Sequence, residues 1–265
     1  MSLATVDIMV VLPEIVISAM ACLILVLDLY LPARFRMQTG FVLTLAILLA
    51  ATLIILFSSV SDSVVGLNGM VVKDRISDLL KCGICLISAG VLLYSRRYAI
   101  ERGFWRGEYL ALGLFGVVGM MIMTSANHLL TVYVGVELLA LCLYAMVGMQ
   151  RDSVSASEAA MKLFVLGALA SGVLLYGMSL LYGLTGTLMI SDISVAVTRF
   201  GPPDLPLLLA LILVVVGLLF KIGAVPFHMW VPVRCSWMFA TTSTSIRTRS
   251  NRPSPIARRP FSWFT

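Results

Sequence analysis

Charge is what this sequence has least of. Of its 265 residues 12% are charged and 60% hydrophobic, with a mean hydropathy of +1.02, a balance that excludes a water-soluble globular domain and makes the chain an integral membrane protein. Basic residues are absent from Met1 to Val6. A cleaved secretory signal needs a positive start, so the first apolar run is expected to remain as a span. A disulfide framework is absent too, because Cys22, Cys82, Cys85, Cys142 and Cys235 are scattered and four of them fall in apolar runs. Cys82-Gly-Ile-Cys85 has the spacing of a redox or metal pair, but no second pair completes a ligand set, and its reading is helix packing. A glycine-rich phosphate loop, a clustered Cys/His set and a nucleophile beside a base are all lacking, so neither a metal site nor redox or hydrolytic chemistry is expected within the chain.

Acid is missing from the end. No Asp or Glu follows Val233, and the last 33 residues hold six arginines, so the formal charge of +6 belongs entirely to that tail. Residues 1 to 232 are neutral. Thr241 to Arg259 is mostly Ser, Thr, Arg and Pro, which suits a segment disordered in isolation or a stretch read out of frame. A nucleic-acid partner is not expected.

What is present is apolar length. A membrane-spanning helix takes roughly 20 apolar residues, and seven such runs are predicted: about Ile8–Leu31, Phe41–Phe57, Asp78–Ser95, Glu108–Ala126, His128–Met149, Ser157–Leu184 and Leu205–Val225. The fourth and fifth are nearly contiguous and should form a tight helical hairpin around Ser125-Ala-Asn127. Gly113, Gly116 and Gly119 suit close helix approach or ordinary membrane-helix glycine. Ser58 to Ser77 is read as a loop. The excess of Lys and Arg after the third span places the N-terminus outside by the positive-inside rule.

Three ionisable residues are predicted inside spans: Glu137, Lys162 and Lys221. A charge at that depth costs roughly 2.5–3.5 kcal/mol on insertion scales, so each should face protein or water. Glu137 falls about ten residues into its span, with Tyr133, Tyr144 and Gly148 on the same face. Its plain alternative is a buried structural ion pair. Lys162 follows Glu158 by one turn, so a helix-end salt bridge or a snorkelling lysine competes with a functional role. Lys221 has Gly217 and Ala210 on its face, and Pro226 should break or kink the helix just beyond it by leaving the Ile222 carbonyl without a partner. His228 beside Trp230 suits a proton carrier or an interfacial anchor. Burial penalises the charged form of acid and amine alike, so a buried pair can exchange a proton when it is joined or parted. The expectation is a lateral proton relay, Glu137 to Lys162 to Lys221.

Three strings carry a family resemblance over about residues 8 to 232: Ser125-Ala-Asn-His-Leu-Leu-Thr-Val-Tyr-Val-Gly-Val-Glu-Leu-Leu139, Glu158-Ala-Ala-Met-Lys-Leu-Phe-Val-Leu-Gly-Ala-Leu-Ala-Ser-Gly172 and Phe220-Lys-Ile-Gly-Ala-Val-Pro-Phe-His-Met-Trp-Val-Pro232. The sequence resembles the antiporter-like membrane subunits of proton-pumping NADH:quinone oxidoreductase, respiratory complex I, and within them the subunit N branch, called subunit 2 in mitochondria. The resemblance implies proton-carrying roles for Glu137, Lys162 and Lys221, and a discontinuous seventh helix. It also implies that the cofactors, FMN, iron–sulfur clusters and quinone, sit in partner subunits and none in this chain.

The expected fold is therefore all-α and integral to the membrane. It has about seven transmembrane helices, the seventh interrupted near Pro226, in an incomplete antiporter-like arrangement. Residues 1–107 are read as an N-terminal three-helix segment, 108–232 as a partial proton-translocating unit and 233–265 as a basic tail. Family members continue past Trp-Val-Pro232 with further helices that Val233 onward does not match, so a truncated or frameshifted product is expected. The implied partners are other complex I membrane subunits, the lipid bilayer and protons. The implied location is a bacterial inner membrane or, alternatively, the mitochondrial inner membrane. Two other readings remain open: a subunit of a sodium/proton antiporter or membrane-bound hydrogenase, and a non-functional fragment.

Overall fold

The computed structural model describes residues 3–58, 63–101, 105–149, 154–199 and 205–225. Its helices are α1 (Leu3–Val10), α2 (Leu12–Tyr30), α3 (Ala33–Phe57), α4 (Arg75–Glu101), α5 (Gly107–Ser125), α6 (Leu129–Val147), α7 (Val154–Thr185), α8 (Ile190–Arg199) and α9 (Leu205–Ile222). Among the described residues seven helices, α2 to α7 and α9, are long and apolar enough to cross a membrane. That matches the seven runs read from the sequence. Their outward faces are apolar: Val42, Leu49, Leu53, Leu56 and Phe57 of α3 are all exposed. Exposed apolar residues of this kind occur on every span but α5, which is enclosed by its neighbours, and suit a lipid solvent.

Boundaries differ from the expectations in four places. The first run is broken at Val11 into α1 and α2, and Pro13 takes its place in the first turn of α2, where its missing amide costs nothing. The expected loop from Ser58 to Ser77 contains a two-stranded antiparallel hairpin, β1 (Val64–Gly66) and β2 (Val71–Lys73). Its turn puts Leu67, Asn68 and Gly69 at positive φ, of which only Gly69 is there without strain. The third span starts earlier than expected. Asp74 accepts a hydrogen bond from Ser77 N at 2.7 Å while Ser77 Oγ accepts from Asp74 N at 3.0 Å, a reciprocal cap that opens α4 at Arg75. Finally, the stretch before the last span holds the short helix α8.

A core of Ile17, Ala21 and Ile24 from α2, Ile47, Leu48, Ala51 and Ile55 from α3, Cys85 and Ala89 from α4, and Leu114, Val117, Val118 and Met121 from α5 joins the first four spans. Beyond it α5 packs on α6, α6 on α7, and α7 on α9. The tight α5–α6 turn forms as expected at Ser125 to Asn127 and is the tie point of one end of the molecule. Asn127 N donates to Met70 O at 3.0 Å and its Nδ2 to Gly69 O at 3.1 Å, while its carbonyl accepts from Ile190 N at 3.0 Å. The hairpin, the α5–α6 turn and the start of α8 are thereby held together at one end of the bundle.

Glycines set the helix spacing only where backbones meet. A Cβ on Gly119 would lie 2.8 Å from the Gly135 carbonyl oxygen, and one on Gly135 would lie 2.9 Å from that of Gly119, so α5 and α6 touch through this mutual pair. The sequence pointed to Gly113 and Gly116 as well. Gly113 has open space around it and Gly116 only ordinary contact, so neither sets an approach.

Candidate functional site

Glu137 lies near the middle of the 19-residue α6, two residues beyond the Gly135 contact, and the face it shares with Tyr144 and Gly148 turns toward α7. Gly148 packs on Ala160, and Tyr144 lies against Gly167 with its ring edge-on to Phe164, 6.2 Å between centroids. A side chain at Gly167 would occupy the space of the Tyr144 hydroxyl. The polar stripe read from the sequence thus faces protein.

Lys221 comes to the same place from α9. Gly177 and Gly217 let α7 and α9 approach: a Cβ on Gly217 would sit 2.7 Å from that of Leu174, and one on Gly177 would sit 2.8 Å from Val214 N. The small residues on the face of Lys221 therefore admit a helix. Lys221 Nζ is 3.0 Å from Glu137 Oε2, with the lysine side chain 9% and the glutamate 24% exposed. Tyr144 presents its ring 5.9 Å from the ammonium, at the reach of a cation–π contact.

The helix bearing Lys221 ends immediately after it. Gly223 has φ of +72°, its N–H donates to Phe220 O at 3.1 Å, and Ala224 N donates to Leu219 O at 3.0 Å. This pair of bonds is a Schellman motif, which needs a residue at positive φ and so selects glycine. The expected break near the lysine is present, but Gly223 makes it, one residue after Ile222. Pro226, to which the sequence reading assigned it, and His228 both lie outside the described residues. Lys221 therefore stands in the last turn of α9, at the negative end of the helix dipole.

Ser171 completes the site and was missed in the sequence, although it stands inside one of the strings quoted above. Its hydroxyl is 2.7 Å from Glu137 Oε2 and 3.0 Å from Gly167 O, and it has one proton to give to either. A carboxylate at Glu137 draws that proton, and a neutral carboxyl group releases it to the carbonyl. The one available signal was a small polar residue four positions after Gly167, on the α7 face that Tyr144 covers.

Lys162 is not brought to this group. It pairs with Glu158 at 2.5 Å, with side chains 68% and 61% exposed, the i,i+4 salt bridge that its spacing suggested. A second omission is larger: Lys81, Glu14 and Asp78, none of them counted among the intramembrane charges, are all buried in the first four-helix core. Lys81 lies three residues after Asp78 on α4, a one-turn spacing that falls inside the predicted third span and was passed over. Cys82 and Cys85 pack in or beside that core as free thiols. Among the described residues no group of three His, Cys, Asp or Glu side chains converges to hold a metal ion.

Comparison with known proteins agrees with the geometry. Residues 126–246 match the family model described as NADH:quinone oxidoreductase/Mrp antiporter, transmembrane, a match that runs past residue 232, where the sequence reading ended the resemblance. NADH-quinone oxidoreductase subunit N of Thioalkalivibrio sulfidiphilus is 52% identical over 85% of this chain and 47% of its own length. The subunit N of Methylovorus glucosotrophus is 48% identical over 85% and 47%. The chain spans about half the length of the curated relatives it matches. Among solved structures, a chain of respiratory complex I from Thermus thermophilus with bound aureothin superposes with a TM-score of 0.66 at 30% identity, covering 83% of this chain and 46% of that one. A chain of the Mrp complex from Dietzia sp. shares the fold, with a TM-score of 0.62 at 24% identity over 86% of this chain and 42% of that one. The chain is thus similar over most of its length to NADH-quinone oxidoreductase subunit N, and its residues 126–246 match the family description that joins this oxidoreductase with the Mrp antiporters.

Proposed function

We propose that the chain serves as a membrane subunit of an NADH:quinone oxidoreductase and takes part in proton translocation coupled to quinone reduction. The supporting observation is the Glu137–Lys221 pair at 3.0 Å, shared with Ser171 and set at a helix end. Joined, the two groups stabilise each other's charged forms. Parted, each favours its neutral form, and a proton leaves the amine while another enters the carboxylate. A shift of an ångström or two between α6 and α9 suffices, and the helix end at Gly223 is where it would occur. Lys162 enters the proposal as the relay member that gives up a proton on leaving Glu158, and His228 as an onward carrier. FMN, iron–sulfur clusters and quinone would belong to partner subunits, in the energy-conserving membrane of a bacterium.

The test is Glu137→Gln and Lys221→Met in the full chain within its assembled complex. NADH-driven acidification of membrane vesicles should fall to background while the subunit stays assembled. Proton movement at the unaltered rate would refute the role of the pair. Lys162→Ala should slow the same movement with no measurable change in stability, since its salt bridge is exposed. A second reading, a sodium/proton antiporter subunit, draws on the family description that joins the two machines. It would be favoured if transport required sodium and ran without NADH.

A further inference from the structure

The most deeply buried ion pair among the described residues is far from the site above in sequence and joins the first turn of α2 to the second turn of α4. Glu14 in the first turn of α2 meets Lys81 of α4 at 2.5 Å, with side chains 4% and 1% exposed. Asp78, in the first turn of α4, is 5% exposed. Two carboxyl oxygens, Glu14 Oε2 and Asp78 Oδ2, are buried without a hydrogen-bond partner. Orphaned carboxylate oxygens at that depth are costly and ask for an explanation.

The surroundings narrow that explanation. Glu14, Lys81, Lys73 and Asp74 all act on Asp78 electrostatically. The Lys73 amine, 4% exposed on β2, is engaged at 2.5 Å by Ser58 at the end of α3, and Asp74 is engaged as the cap of α4. Along α4 the nearby titratable groups are Cys82 and Cys85, the latter beside the Thr52 hydroxyl of α3. Two carboxylates therefore face one directly paired amine. An ammonium at the centre repels a metal cation, so the ligand that suits both orphan oxygens is a proton: it turns one of them into a donor and leaves its neighbour an acceptor. Both acids also sit in the first turns of their helices.

We propose that Glu14, Asp78 and Lys81 form a second protonatable site, at the end of the bundle where the β1–β2 hairpin lies. One carboxyl group holds an exchangeable proton and Lys81 serves as its counter-charge. The exchange is balanced with solvent: the carboxylate takes a proton from a hydronium ion and later returns it to water, while Lys81 remains an ammonium throughout. This site shares no residue with the Glu137–Lys221 pair and does not depend on the role proposed for that pair.

Infrared difference spectroscopy of the full chain in lipid nanodiscs, taken across the neutral pH range, tests it. The expected result is a protonated-carboxyl C=O band that shifts in D2O and is lost in Glu14→Gln or Asp78→Asn. Because Glu14→Gln leaves Lys81 without its partner and can impair folding, the double variant Glu14→Gln/Lys81→Met, neutral at both positions, is measured beside it with circular dichroism to confirm retained helix. The double variant should fold and show a changed midpoint for the band remaining from Asp78. If neither Glu14→Gln nor Asp78→Asn removes any carboxyl band from the wild-type spectrum, both acids are permanently ionised. The cluster is then a static ion pair and the proposal is wrong.

Discussion

The two buried ion pairs among the described residues have similar chemistry and dissimilar settings. Glu14–Lys81 is shut into a four-helix core, nearly inaccessible, and anchored at the starts of α2 and α4. Glu137–Lys221 is more open, is longer by half an ångström, and lies where glycines on α5, α6, α7 and α9 bring the helices together. It also has an alternative: the Ser171 proton can stabilise Glu137 when the lysine withdraws. Glu14 Oε2 has no such substitute. A pair that can be parted needs a second partner ready for each charge, and only the α6–α9 pair has one.

This contrast can be broken most forcefully at Lys81. Lys81→Met leaves the Glu14 carboxylate buried and alone, which should cost about 3–5 kcal/mol and show as a large fall in thermal unfolding temperature in detergent. Lys221→Met should lower it less, because Glu137 retains Ser171 and partial exposure; equal losses would erase the distinction. Gly217→Leu should come next. It forces a side chain onto Leu174, and overpacking of this kind costs about 1–3 kcal/mol. Because it pushes α9 from α7, a cross-link between cysteines placed at positions 137 and 221 should form more slowly than in the Gly217 parent. The smallest effect on stability is expected from Ser171→Ala, about 1.5–3 kcal/mol at most for a hydrogen bond to a charged group and less here because Glu137 is partly exposed. Its larger consequence should be a slower proton transfer through the pair at nearly unchanged stability. A rate equal to wild type would remove the hydroxyl from the mechanism.

Much of the scaffold was readable from composition. Seven spans, the tight turn at Ser125 to Asn127, the inward face of Glu137 and the helix end beside Lys221 all follow from local pattern. The errors share a cause. Asp78 and Lys81 fell at the start of the predicted third span and read as end charges, because their burial depends on Glu14 reaching them from α2. The turn at Gly223, whose positive φ ends α9 at Ile222, was not singled out beside Pro226. Gly113 and Gly119 look alike in sequence, yet only Gly119 meets another glycine across the helix interface.

The sequence by itself determined that the chain lives in a membrane, how many helices can span it and which spans carry charge, because hydrophobic transfer is additive over neighbouring residues. Tertiary structure alone decided which charges meet. Ion pairing requires side chains from helices distant in the chain to come within about 3 Å. Whether they do is set by where glycine permits backbone contact and where a cap starts or stops a helix, so Lys221 reached Glu137, Lys81 reached Glu14, and Lys162 stayed with its neighbour Glu158.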